Sequence, residues 1–221
     1  MLLGLAEEHG LGARLDAWML AESLAQLARW DAAGLPPLFV SVNLGRSAMT
    51  DPQLAGTVER ALADSGVAPD RLHLEITEHA ELPAGAGAEA LHALTGRGVR
   101  VSLDDFGVGY TSLDYVRLYP VTTLKADRSI TAPLQEEQTS PLLRGVVLLA
   151  REVGMEVLAE GIETPLQRQR LLDLGVRLGQ GYLFARPLTA DDLVAHVRAA
   201  EAPPAVPVPR VAADVVGLPA S

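Results

Sequence analysis

The chain contains no cysteine among its 221 residues. That excludes disulfide staples, thiolate metal centres and a cysteine nucleophile, and it fits a reducing, cytoplasmic setting. Positive charge is also scarce: 18 Lys and Arg face 28 Asp and Glu, for a net charge of −10. Such a balance argues against a DNA or RNA polymer as partner, because polymer binding draws on basic patches. Plain solubility accounts for the charge equally well, and a phosphate substrate is compatible with it when divalent cations bridge the two. No stretch reaches the roughly eighteen consecutive apolar residues that a membrane helix needs. Met1-Leu2-Leu3-Gly4-Leu5 has no basic flank and meets Glu7-Glu8 at once, unlike a signal peptide. The histidines (His9, His73, His79, His92 and His196) show no HExxH spacing. Nucleophile elbow, phosphate-binding P-loop, dinucleotide fingerprint and internal repeat are all lacking.

What the chain does have is a series of short apolar runs, each ending in residues suited to metal or phosphate chemistry. They are Phe39–Asn43, Leu72–Glu78, Val101–Asp105, Thr123–Asp127, Val157–Glu163 and Gly179–Tyr182. Strand side chains alternate between two faces. Val40 and Val42, Leu72, Leu74 and Ile76, and Val101 and Leu103 therefore share one face. Ser41 and Asn43, His73, Glu75 and Thr77, Ser102 and Asp104, and Thr123, Lys125 and Asp127 share the other. Helical patterns lie between the runs, including Leu15, Trp18, Met19, Leu24, Leu27 and Ala28, and later Leu142, Val146, Leu149, Ala150 and Val153. Further stripes are Leu166, Leu171, Leu172 and Leu174, then Leu193, Val194 and Val197. This alternation predicts βα units around a parallel sheet, greasy outside under helices and functional inside at the strand tips. The length supports one sizeable core rather than two domains, and the Pro/Ala-rich segment 201–221 predicts a disordered tail.

Asp104-Asp105 is the sharpest local signal. Adjacent carboxylates before Phe106-Gly107-Val108-Gly109-Tyr110 can serve two metal ions, with glycines that let the loop fold closely over a ligand. A solvated Asp-Asp turn is the competing reading. Glu75 and Glu78 lie across one strand end, and Asn43 at another tip offers an amide oxygen; a surface or capping acid and a turn former are the alternatives. Lys125 projects inward with Thr123 and Asp127. An unpaired buried ammonium costs several kcal/mol, so it either works beside carboxylates and phosphate or forms an ion pair with Asp127. Glu160 and Glu163 bracket a Gly-Ile turn, and Gln180 sits between glycines. Their shared place at successive strand ends is what makes them a set.

The segments SVNLG (41–45), LEITE (74–78), SLDDFGVGYTSLDYV (102–116), LKADRSI (124–130), AEGIET (159–164) and QGYLFARPL (180–188) together resemble the EAL domain. GLAEEHGL (4–11) is similar to the family's approach to its early helix. The resemblance implies a modified (β/α)8 TIM-like barrel and a cyclic di-GMP phosphodiesterase using two Mg²⁺ or Mn²⁺ ions to give linear pGpG. It assigns Asn43, Glu75 and Asp104 to the first ion, Asp105 to the second and Lys125 to the metal-bound water. Glu160 is a further metal-shell carboxylate, and Glu163 and Gln180 support the water and metal geometry. Glu78 steadies the loop carrying Gly107, Gly109 and Ser112. Many relatives are homodimers with an upstream sensor or GGDEF domain, and the resemblance implies such partners.

The match departs from the family at one end. The Glu-Ala-Leu strand and the antiparallel strand before it have no counterpart, so the expectation is an incomplete barrel of six parallel strands over 1–200, short of one metal ligand and one phosphate-gripping arginine. Val108 for Thr, Gly45 for Ser and Ala126 for Ile are smaller departures. The competing functions are a non-catalytic cyclic di-GMP-binding or protein-interaction module, and an inert remnant.

Overall fold

A computed structural model describes residues 6–7, 9–77, 85–107, 113–135 and 140–201. The apolar runs become strands β1 (Val40–Asn43), β2 (Leu72–Thr77), β3 (Arg100–Phe106), β4 (Thr123–Ala126), β5 (Glu156–Ala159) and β6 (Leu178–Gly179). They form one sheet in the order β1-β2-β3-β4-β5-β6, and every neighbouring pair is parallel. Sequential parallel order requires a crossover between each pair, which the intervening helices provide. Among the described residues the sheet is therefore six strands of a barrel, with outer edges at β1 and β6.

The helices are α1 (Gly12–Ala32), the single turn α2 (Arg46–Met49), α3 (Leu54–Ser65), α4 (Ala86–Thr95), α5 (Leu113–Leu118), the short α6 (Arg128–Thr131), α7 (Pro141–Glu152), α8 (Pro165–Asp173) and α9 (Ala190–Glu201). Start signals in the sequence are realised locally. Ser140 caps α7 by accepting from Leu143 N–H, with Pro141 in the first turn, and Thr164 and Gln167 form a reciprocal capping box on α8.

The greasy face forms as alternation predicts. Leu72, Leu74, Ile76, Val101, Leu103 and Leu124 are fully buried beneath Leu20, Leu24, Leu27, Leu91, Leu94 and Leu143 of the helices. Some helical stripes are turned from the predicted ones. Trp18 and Met19 lie outside at 58% and 44% exposure, while α7 buries Leu143, Val146 and Ala150 and leaves Leu142 and Val153 exposed. A stripe at i, i+3 and i+7 suffices for a helix that covers a sheet on one side only.

The strand alternation is broken once. Ser102 and Leu103 pair with Thr123 and Leu124, but Phe106 rather than Asp105 pairs with Ala126. One extra residue thus enters β3, and Asp105 carries it in the left-handed region at φ 56°. The bulge returns Phe106 to the buried apolar face and leaves Asp104 and Asp105 adjacent at the strand end.

Candidate active site

Lys125 stands at the centre of the sheet's polar face. Its Nζ lies 2.9 Å from Glu75 Oε2 on β2, 2.9 Å from Asp104 Oδ1 on β3 and 2.9 Å from Glu160 Oε1 just after β5. The four groups meet because the registers align their strands: Glu75 pairs with Ser102, two positions before Asp104, Ser102 with Thr123, two before Lys125, and Lys125 with Leu158, two before Glu160. Side-chain exposure is 7% for Lys125 and 9, 16 and 19% for Glu75, Asp104 and Glu160. Contacts at these depths are only weakly screened.

The electrostatics follow from this packing. Burial works against the Lys125 ammonium, yet hydrogen bonds to Asp104, Glu75 and Glu160 overcome it and hold the amine above its usual range. Glu160 is pushed up, chiefly by burial, with Lys125 pulling down and Asp104 and Glu75 pushing up. One ammonium against three carboxylates leaves two negative charges over, and Asp105 adds a third. Enclosed surplus charge of one sign is unfavourable without a counter-ion.

The donors are all oxygens, the choice of hard divalent cations. Among the described residues, however, no three acidic or imidazole side chains are placed to hold one ion together. The carboxylates converge on Lys125 instead, so the donor set fits a hard divalent cation in chemistry and charge, and holding an ion requires the acids to turn from the ammonium toward it.

The other assigned residues surround this cluster. Asn43 ends β1 at the sheet edge and is exposed. Asp105 is half-buried and donates its N–H to Asp104 Oδ1 at 3.0 Å. Glu163 pairs with Arg128 at 2.9 Å and its N–H donates to Gln167 Oε1 at 2.8 Å. Gln180 is exposed; its N–H donates to Ala159 O and its carbonyl accepts from Ile162. Glu160, Glu163 and Gln180 share a cavity of about 240 Å³ with Arg128 and Tyr182. Gly107 has φ 102° and lies against Ile130. Glu78, Gly109 and Ser112 fall outside the described residues.

Of the two readings of Lys125, the one beside carboxylates is realised and the Asp127 ion pair is not. Lys125 does not pair with Asp127, because β4 ends at Ala126 and Asp127 turns to cap α6, accepting from Ser129 N–H at 2.7 Å. Burial raises the Asp127 carboxyl, but hydrogen bonds from Ser129 and Arg128 outweigh it and leave the group below its ordinary value. His73 is an interior packing residue as expected, stacked on Phe39 with centroids 4.3 Å apart.

Arg128 and Gln167 carry no assignment from sequence, yet both hold Glu163. The Thr164-x-x-Gln167 capping box was the available signal for Gln167; Arg128 offered none.

A family model for the EAL domain matches residues 2–187, spanning every element from β1 to β6. The chain belongs to the EAL domain family. This EAL domain is 37% identical over 199 residues to the cyclic di-GMP phosphodiesterase NbdA of Pseudomonas aeruginosa, covering 89% of the chain and 25% of NbdA. It is similar to a solved structure of the MucR phosphodiesterase in complex with c-di-GMP, at 35% identity and TM-score 0.77 over 86% of this chain and 78% of that one. A manganese and cyclic di-GMP complex of Klebsiella pneumoniae BlrP1 superposes with TM-score 0.70 at 28% identity, covering 81% of this chain and 46% of that one. Against the curated full-length MucR, a bifunctional diguanylate cyclase and cyclic di-GMP phosphodiesterase of P. aeruginosa, the EAL domain spans 29% of the protein.

Proposed function

We propose that the chain is the catalytic portion of a phosphodiesterase that opens one ester bond of cyclic di-GMP to give linear pGpG. The observation that carries the reading is the convergence of Glu75, Asp104 and Glu160 on Lys125 at the carboxyl ends of parallel strands, with more negative charge than the lysine balances. Asn43, Glu75 and Asp104 would hold a first Mg²⁺ or Mn²⁺ and Asp105 a second, with Glu160 as a further carboxylate. Ions bound there supply an activated water and charge neutralisation for displacement at phosphorus. Lys125 orients the water and meets the phosphate's developing charge. Arg128 and Gln167 fix Glu163, which with Gln180 borders the cavity beside Glu160. In this reading Glu78 steadies the loop carrying Gly107, Gly109 and Ser112, as the family resemblance implies.

The chain's small share of its curated relatives, one of them a bifunctional diguanylate cyclase and phosphodiesterase, supports a place in a longer polypeptide that carries a GGDEF domain. No helix among the described residues is long and apolar enough to cross a membrane.

A second reading draws on the open β1 edge, where Asn43 is exposed: nucleotide binding without turnover. Incubation with cyclic di-GMP and Mn²⁺, followed by chromatography of the nucleotides, separates the two. Hydrolysis abolished by EDTA and by Glu75→Ala supports the phosphodiesterase. Hydrolysis indifferent to both sinks the proposed site, and binding without pGpG selects the second reading.

A further inference from the structure

The loop that follows Asn43 is gripped by side chains with no part in the set above. Gly45 N–H donates to Asp16 Oδ2 at 2.8 Å, and the Ser47 hydroxyl donates to the Glu7 carboxylate. Space is made for this grip by glycine. A Cβ at Gly45 would lie 2.9 Å from Glu7 Oε1 and 3.0 Å from Asp16 Oδ2, and one at Gly12 would also press on Glu7. Gly45 has an ordinary φ of −75°, so close approach rather than backbone freedom explains the missing side chain. On the other side Leu44 N–H donates to the carbonyl of Glu75 at 2.8 Å. The end of β1 is thus tied both to the main chain of its neighbouring ligand and to a carboxylate on α1. That helix is a firm support, because Leu20, Leu24 and Leu27 anchor it in the core.

We propose that Asp16, seconded by Glu7, is a positioning residue that fixes the chain beyond Asn43 and so sets where the Asn43 amide stands relative to Glu75. The proposal rests on the metal-site reading given above. A ligand at a sheet edge has a paired strand on one side only, so its placement depends on what restrains the following loop. Asp16 supplies that restraint without touching an ion or the substrate. Supporting partners of this kind change metal affinity by about 10–100-fold when removed.

The test compares Asp16→Ala and Asp16→Asn, with Asp31→Ala as a control at the opposite end of the same helix. Mn²⁺ is titrated calorimetrically into the nucleotide-free chain, and exchange of the Gly45 amide is followed by NMR. Asp16→Ala should weaken Mn²⁺ binding by about 10–100-fold and speed Gly45 exchange about tenfold. Asp16→Asn keeps an acceptor for Gly45 N–H and should restore both; Asp31→Ala should alter neither. Faster exchange with wild-type Mn²⁺ affinity would overturn the positioning role, and unchanged exchange would overturn the grip itself. A wild-type chain that binds no Mn²⁺ removes the metal-site reading and this proposal together, whereas unchanged affinity in the variant removes this proposal alone. Should Asp16→Ala fail to fold, Gly45→Ala disturbs the same contact from the other side and should weaken Mn²⁺ binding in the same direction.

Discussion

Replacing Lys125 with methionine keeps the length of the side chain and removes its charge. Each 2.9 Å contact to Glu75, Asp104 or Glu160 is worth roughly 6 kcal/mol of Coulomb attraction at an effective dielectric of about 20. Much of that repays the dehydration of the ammonium and the mutual repulsion of the acids. Deleting one partner of a buried ionic group typically costs about 3–5 kcal/mol net, which for a domain of this size lowers Tm by about 10 °C. The assay is urea denaturation of metal-free protein, comparing midpoints at constant slope. The deficit should also depend on pH. Glu160 already sits above its usual range, and without the lysine it is driven higher. A carboxyl whose folded pKa is raised contributes stability that is present at low pH and lost as pH rises through that value. The variant should therefore recover toward wild type on acidification. A loss below about 1 kcal/mol, or a deficit independent of pH, would refute the idea that Lys125 neutralises the acids.

Other outcomes can be checked with the same preparations. Asp105→Gly removes a non-glycine residue from φ 56° and should stabilise the metal-free chain by about 1 kcal/mol while lowering Mn²⁺ stoichiometry from two to one; an unchanged stoichiometry would count against Asp105 as a ligand. His73 is held below its ordinary pKa by burial and by Arg100, with Glu156 opposing. A lowered folded value means stability present near neutrality and lost as pH falls through it, so relative to His73→Phe the wild type should lose stability between pH 7 and pH 5; parallel curves would contradict this. Gly181→Ala places a methyl group against the Ile162 backbone and should cost more than about 2 kcal/mol, read as a drop in Tm; a silent substitution would show that this turn moves freely.

The sequence made the six strands and the inward set legible because both rest on a period of two. His73, Glu75, Ser102 and Lys125 announce themselves as polar groups inside greasy runs, and all are buried on the sheet's polar face. The helices were less legible, since Trp18, Met19 and Leu142 satisfy an apolar stripe yet face outward. A sheet covered on one side needs only part of each helix, and periodicity does not say which part. Which acids pair with Lys125 is left open by the sequence for a related reason. Asp127 lies two residues away on the apparent strand, but the strand ends first and the carboxylate is drawn to the free N–H groups opening α6. Distant acids won over a near one, and only the register between strands could show it. Asp16 left no trace at all, because its grip on Gly45 bridges 29 positions and depends on an absent side chain.

The extra residue in β3 has a consequence in genetic terms. Asp105 is an insertion in an otherwise regular ladder, with Leu103 before it and Phe106 after it already on the correct face. Deleting its codon would shorten the strand to normal pairing and keep every core residue in place. The second carboxylate is thus one in-frame step away from gain or loss, with no need to rebuild the barrel around it. Descendants with one acid at this strand end and descendants with two can then share the same scaffold, and selection on the chemistry can act without first paying a toll in folding.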